Sequence, residues 1–400
     1  MRKKGFYLWS LLVVLLTATS CSSDHNEDDL PAKTGTFELN FTFEGTSEKT
    51  RASTAIPETS WKNINQIQFF LYDSKNKVVF SSIVAPTNSN AGLKTYTYTA
   101  IPVGEYTLVA VANAKSDKDN VTTYISSAPQ TWTEGNVYNM EIKDLFIKHK
   151  PGSWSTAITG NTGAKAVVDK LFPHTEPSEI FMGYATGIKI STAAPHKASV
   201  NLKREVSMMR VRIDQKTHKE AKDVDFGAAT ASVILYRLPD QMGIGNGNLG
   251  GIGTTSTEAN AVSVSGAFSS ANSNNAYLDG NFSLWKDVIV FPNNGGRANN
   301  SATTATADDS RKYFVVLCGI AKSGHYYSGG KQAAAGDPVF WYGQIKEVFT
   351  PNTIREVNLI LKTGGLPTPP DKVIDYSGLE ISVSEPEKWS SNIVVSTIEM

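Results

Sequence analysis

The stretch Thr34 to Ala52, TGTFELNFTFEGTSEKTRA, constrains this chain more than any other. Phe37, Leu39, Phe41 and Phe43 alternate with Glu38, Asn40 and Thr42, the period of two that marks a β-strand with one buried face. A polar, turn-like run from Glu44 to Thr50 follows and ends in Arg51-Ala52. Two readings of this pairing are open. One is an ordinary first strand followed by a surface loop that carries an arginine. The other is a removable strand whose loop is a protease site.

The rest of the chain supplies short strands divided by turns. Ile64 to Tyr72, a turn over Asp73 to Lys77, and Val78 to Val84 read as a β-hairpin. Thr95 to Ala100 alternates, Pro102-Val103-Gly104 turns, and Tyr106 to Ala112 has the continuous apolar and β-branched content of a buried strand. Further strands are expected at Val137 to Ile147, Val233 to Leu238, Trp285 to Phe291, Tyr313 to Ala321, Val339 to Phe349 and Arg355 to Leu361. Ala198 to Ile213 reads as two strands or one long bent one, with Arg204, Arg210 and Arg212 expected to face solvent. Ala164 to Phe172 has the spacing of one short helix. Ser269 to Asp279 and Asn293 to Asp309 are low-complexity loops.

A chain of 400 residues is long enough for two domains. With 38 basic and 38 acidic residues the formal charge is zero, which gives nucleic-acid binding no electrostatic support. The low share of charged residues, 19%, beside 10% aromatics fits a secreted β-rich protein.

The chain opens with Arg2, Lys3 and Lys4, an apolar run from Leu8 to Leu16, and the small residues Ala18-Thr19-Ser20 before Cys21. That order is a targeting segment, and the apolar run is too short for a permanent membrane span. The end of it resembles a bacterial lipoprotein cleavage site, with Cys21 as the lipid-modified residue, although Ala18 stands where Leu is commonest. Ser22 to Asp29 is polar and acidic, the composition of a disordered tether. The remaining cysteine, Cys318, lies in an apolar strand and is expected to be a buried thiol.

Gly364 to Asp371, rich in proline, is expected to be an extended linker. Beyond it come Leu379, Ile381 and Val383, then Trp389, Ile393, Val395 and Ile398, all in strand-like surroundings. Such a tail either folds back as edge strands or offers itself to another chain.

Catalytic motifs are lacking. The histidines are scattered with no HExxH, no serine sits in a Gly-x-Ser-x-Gly elbow, and no cysteine pairs suit a metal. Gly245, Gly247 and Gly250 match a dinucleotide fingerprint formally, but no amphipathic helix follows. Asp117 to Asn120 lacks the glycine and closing glutamate of a calcium loop. The expectation is a non-enzyme with no cofactor and no metal.

Two segments, Ile101 to Asn113 (IPVGEYTLVAVAN) and Val200 to Val206 (VNLKREV), resemble the fimbrillin family of Bacteroidales, whose members build the shafts of type V pili. The resemblance implies an all-β chain of two tandem, transthyretin-like β-sandwich domains with few short helices. It divides the sequence into a signal peptide over 1–21, a tether and removable strand over 22–51, domains over 52–186 and 187–364, and a linker with donor tail over 365–400. It further implies cleavage between Arg51 and Ala52 by an Arg-specific protease, which would remove Phe37 to Phe43. The tail (Leu379, Ile381, Val383, Trp389, Ile393, Val395, Ile398) would fill the vacancy in a neighbouring subunit. Implied partners are identical subunits in a homopolymer, tip and anchor fimbrial subunits, and the outer membrane through lipid on the precursor. The mature form would sit in extracellular fimbriae and serve adhesion. The alternatives are a tip or anchor subunit, and a monomeric glycan-binding surface lipoprotein.

Overall fold

The computed structural model of the chain describes residues 33–43, 64, 66–84, 95–114, 123–126, 138–149, 152–153, 177–214, 220–228, 231–236, 241–244, 254–255, 261–265, 268–269, 282–293, 313–345, 347–368 and 379–388. The first half of the strands are β1 (Thr34–Phe43), β2 (Ile67–Tyr72), β3 (Val78–Val84), β4 (Tyr96–Pro102), β5 (Gly104–Ala112), β6 (Thr123–Ser126), β7 (Phe146–His149), β8 (Gly152–Ser153), β9 (Phe181–Ile190), β10 (His196–Arg204) and β11 (Ser207–Asp214). The second half are β12 (Val224–Asp225), β13 (Ser232–Tyr236), β14 (Gln241–Gly243), β15 (Thr254–Thr255), β16 (Ala261–Ser265), β17 (Phe282–Val290), β18 (Tyr313–Ala321), β19 (Pro338–Ile345), β20 (Thr353–Leu361), β21 (Leu379–Val383) and β22 (Glu387–Lys388). The fold is all-β. Helical turns among the described residues are 3-10 pieces, Ile142–Asp144 and Glu220–Asp223. The helix expected over 164–172 lies outside the described residues.

A seven-stranded sheet runs in the order β3-β2-β5-β9-β10-β1-β4. It curls until its two ends meet: Tyr98 of β4 packs edge-on against Phe69 of β2 and Phe80 of β3, with ring centroids 5.1 and 5.4 Å apart. Phe37, Leu39, Phe69, Leu71, Leu108, Ile188, Val200 and Leu202 fill the inside of the curl. Alternate residues of the same strands, Phe70, Val109, Val111 and Met182, point the other way into a second core. Period two therefore explains why β2 and the Leu108–Ala112 half of β5 carry apolar residues on both faces: each strand feeds two cores. The β2–β3 turn is held by Asp73, whose carboxylate accepts from the amides of Lys75 and Lys77 at 2.8 and 2.9 Å.

The second core also takes Ile147 of β7, Met242 of β14, and Met208, Ile289 and Ile354 from β11, β17 and β20. β7 pairs with β14, and β8 pairs with β16. Segments from both sides of residue 186 thus share sheets and a core. Residue 186 itself falls inside β9, and β10 lies in the same sheet as β1. The chain changes sheets at Glu205-Val206, between β10 and β11. A third core lies between the sheet β17-β11-β20-β21 and the sheet that carries β13, β18 and β19.

Three expectations differ from the structure. The strand expected over 137–147 is broken by the turn at Ile142–Asp144, where Leu145 donates its amide to the Ile142 carbonyl, and β7 begins after it. Arg204, Arg210 and Arg212 do not face solvent; all three are buried. Arg204 reaches Glu179 at 2.6 Å, Arg210 reaches Asp287 at 3.0 Å, and Arg212 reaches Glu356 at 3.2 Å. Arg210 and Arg212 do lie on the face opposite the third core, but carboxylates of the flanking strands β17 and β20 cover them, and a guanidinium fork suits such lateral pairing. Finally, the start of the expected linker is seated. The His325 ring approaches the Gly364 carbonyl at 2.8 Å, Ser328 donates to Gly365, and Trp341 Nε1 donates to Thr363. A Cβ at Gly364 would lie 2.0 Å from the Tyr326 carbonyl oxygen, so only glycine fits there.

Cys318 is fully buried in β18, as expected, and burial pushes its thiol up to about 12.

Candidate functional site: the slot that holds β1

β1 is an interior strand. On one side it pairs in parallel with β10, in a register running from Phe37 opposite His196 to Phe43 opposite Leu202. On the other it pairs antiparallel with β4, with Phe37 opposite Tyr98 and Leu39 opposite Tyr96, and an irregularity between Gly35 and Phe37. Among the described residues β4 has a single ladder partner, β1.

The inward face is apolar. Phe37 and Leu39 have no exposure and Phe41 only 2%. Phe41 packs edge-on to Tyr96 at 6.0 Å and lies 6.4 Å from Phe69, distances at which aromatic pairs attract. Phe43 ends the strand, and its side chain lies outside the described residues. Burial raises the phenol of Tyr96 above its ordinary value and pushes Tyr98 up to about 12, although Ser82 hydrogen bonds to it. These two phenols are therefore neutral at any physiological pH.

The outward face is polar and read residue by residue. Glu38 meets Lys197 of β10 at 3.0 Å. The Thr95 hydroxyl donates to the Asn40 side-chain carbonyl at 2.7 Å. Cross-strand pairs of this kind fix register on a face that burial does not fix. At the N-terminal end, Thr34, Gly35 and Thr36 share a small polar cavity with Thr99, Ala100 and the turn Ser191–Pro195. A Cβ on Gly35 would come within 2.1 Å of the Ser191 carbonyl oxygen, so the strand enters by a close backbone approach.

Phe37, Leu39 and Phe41 share one buried face of β1. Leu379, Ile381 and Val383 lie in β21, which folds back on its own chain as an edge strand and pairs antiparallel with β20, from Val383 opposite Val357 to Leu379 opposite Leu361. Ile381 and Val383 pack against the third core and are only half-buried. Cys21, Arg51, Ala52, Trp389, Ile393, Val395 and Ile398 lie outside the described residues. Sequence reasoning missed Lys197 and Thr95. The signal for the first was the acid Glu38 set in an apolar alternation, which asks for a basic residue on a neighbouring strand. Among the described residues no group of three His, Cys, Asp or Glu is placed to hold a metal ion, and no helix is long and apolar enough to cross a membrane.

The structure is thus an all-β chain whose apolar slot is closed by β1, the first of its described strands. The model of the fimbrillin-A associated anchor proteins Mfa1 and Mfa2 matches residues 26–236, just over half of the chain, and the chain belongs to that family. No curated protein is a match. Among solved structures, the chain is similar to a candidate cell adhesion protein from Bacteroides eggerthii, at 13% identity and a TM-score of 0.45, over 91% of this chain and 99% of that one. It is similar to a fimbrilin from Porphyromonas gingivalis at 11% identity and a TM-score of 0.44, over 91% and 99% of the two chains. For the fimbrial anchor protein Mfa2 of the same organism the values are 10% and 0.42, over 90% and 100%.

Proposed function

We propose that this chain is a structural subunit of a surface fimbria, exported as an outer-membrane lipoprotein precursor through Cys21 and matured by cleavage between Arg51 and Ala52. In this reading β1 is a placeholder. The observation that carries it is the seat of β1: an interior strand with two ladders and a fully apolar inner face, followed in sequence by a polar run that ends in an arginine. Loss of Phe37, Leu39 and Phe41 alone would forfeit about 5–9 kcal/mol of apolar burial as an upper figure. An empty slot of that depth demands a replacement strand, and strand addition supplies main-chain bonds together with side-chain register. The tail of a neighbouring copy is the proposed replacement. One slot and one tail per copy make a head-to-tail contact that does not close, so the product is a fibre of identical subunits. Adhesion is the proposed role of the finished fimbria.

A second reading is favoured by the description of the matching family as anchor proteins. An anchor would keep β1 and its lipid, and would receive or cap a fibre rather than extend it.

One experiment separates them. The full chain is treated with an Arg-specific protease, followed by N-terminal sequencing and size analysis. A new N-terminus at Ala52 with detergent-resistant ladders supports the shaft subunit, and deletion of residues 375–400 should abolish the ladders. An Arg51 that resists cleavage supports the anchor. Clean cleavage to a lasting monomer refutes strand exchange and favours a monomeric binding lipoprotein.

A further inference from the structure

The tail holds more than one strand-like stretch, and the slot carries enough chemistry to choose between them. β1 presents Phe37-Glu38-Leu39-Asn40-Phe41-Thr42, in the order apolar, acid, apolar, polar amide, apolar, hydroxyl. After residue 364 one stretch has the same alternation with the acid in the same place: Leu379-Glu380-Ile381-Ser382-Val383-Ser384, a hydroxyl standing where β1 has the amide of Asn40. The terminal stretch from Ile393 to Ile398, IVVSTI, has no acid between its apolar residues.

We infer that Leu379–Ser384 is the segment a neighbouring copy's slot accepts, in the register of Phe37–Thr42, with Glu380 opposite Lys197 and Ser382 opposite Thr95 of the acceptor. The inference rests on the strand-exchange reading above and specifies which segment enters and in what register.

Two features of the structure argue for it. The rim of the slot already reads these outward positions, through the Lys197–Glu38 ion pair at 3.0 Å and the Thr95–Asn40 hydrogen bond at 2.7 Å. A slip by two residues would set Gly378 or Ser382 opposite Lys197, and a slip by one would turn Glu380 into the apolar interior. Next, β21 is seated less well than β1. It has one ladder, to β20, and its Ile381 and Val383 are half-buried, whereas the slot offers two ladders and complete burial at the equivalent positions. Transfer from an edge to an interior seat runs downhill in both main-chain pairing and apolar burial.

Two adjustments follow. Leu379 and Val383 are smaller than Phe37 and Phe41, so Phe69 and Tyr96, which pack on Phe41, must close inward. The glycines are offset by one position: Gly378 aligns with Thr36, and Ser377 with Gly35, where a Cβ meets the Ser191 carbonyl oxygen at 2.1 Å. The incoming strand therefore turns away from the slot at Gly378, before it reaches Ser191.

The test uses two pools of full-length chain, one carrying Glu380→Cys and the other Thr97→Cys, an exposed β4 residue that stands opposite Glu38. Both pools also carry Cys21→Ser; they are mixed, cleaved, allowed to assemble and oxidised, and Cys318 is fully buried and stays silent. The expected result is a disulfide between chains within the ladders, and none when Ser382→Cys replaces Glu380→Cys. A charge swap checks it without cysteine. Lys197→Glu and Glu380→Lys should each slow assembly about two- to fivefold, the scale of an exposed ion pair, and the two together should restore it. Ladders that instead cross-link Thr97→Cys to Ser396→Cys overturn this inference and leave strand exchange standing. Failure of the unaltered chain to form ladders overturns both.

Discussion

Leu39→Ala tests the proposed departure of β1 on maturation. Leu39 has no exposure, and its backbone is flanked by Ala198 of β10 and Tyr96 of β4. Ladders on both sides prevent the site from collapsing onto the missing methyl groups. The cost should therefore lie in the middle of the range for such truncations, about 3 kcal/mol. That is about a hundredfold in the folding equilibrium. The assay is guanidinium unfolding of the uncleaved chain, where the midpoint should fall while the slope stays unchanged. Fibres made by cleaving the variant should then unfold like fibres of the unaltered chain, because the altered residue has left. Leu359→Ala is the control: Leu359 is equally buried, but in the third core, and its effect should persist in both forms. If Leu39→Ala weakens the fibre as much as Leu359→Ala does, β1 has never left and the placeholder reasoning is refuted.

Arg210→Ala should destabilise the chain by about 3–5 kcal/mol, because it strips the guanidinium from the buried Asp287 carboxylate; the double variant Arg210→Met with Asp287→Leu should recover most of that loss in the same unfolding assay. Stability should decline as pH climbs from about 10 to about 12: Tyr72, Tyr98, Tyr138 and Tyr327 are each raised by burial to about 12, so the unfolded chain ionises first and is favoured through that window. Unfolding measured along an alkaline series, with tyrosinate absorbance as the second signal, checks the sign. Cys318 should resist thiol reagents in the folded chain and react once denaturant unfolds it, since its thiol is enclosed and held neutral up to about 12.

Much of the architecture was legible because it is local. The alternation from Phe37 to Phe43, the Asp73 turn and the apolar run of β5 each state their structure within a few residues. The arginines of β11 were not. Their partners Asp287 and Glu356 are far away in sequence, and only sheet order brings them alongside. The tail shows a similar limit. Alternation announced that Leu379, Ile381 and Val383 form a strand, but it could not say that β20 pairs with them in the same chain. Sequence patterns report which face of a strand is buried; they do not report which neighbour does the burying. The candidate site divides along the same line. Its apolar half was readable from β1, while its polar rim, Lys197 of β10 and Thr95 just before β4, depends on strands that among the described residues are joined through β1.

The dependence of β4 on a single partner gives maturation a timing constraint. With β1 gone, the seven-stranded sheet keeps five contiguous strands, β3-β2-β5-β9-β10, and β4 is left without a ladder. It would hang from the Pro102–Gly104 turn and from the stacking of Tyr98 on Phe69 and Phe80. A cut subunit is therefore short of two strands rather than one, and it exposes two unpaired edges facing each other across a gap. If strand exchange operates as proposed, such a part could not be stockpiled. Its shelf life would depend on how quickly another strand arrives, so cutting and joining would belong to one event.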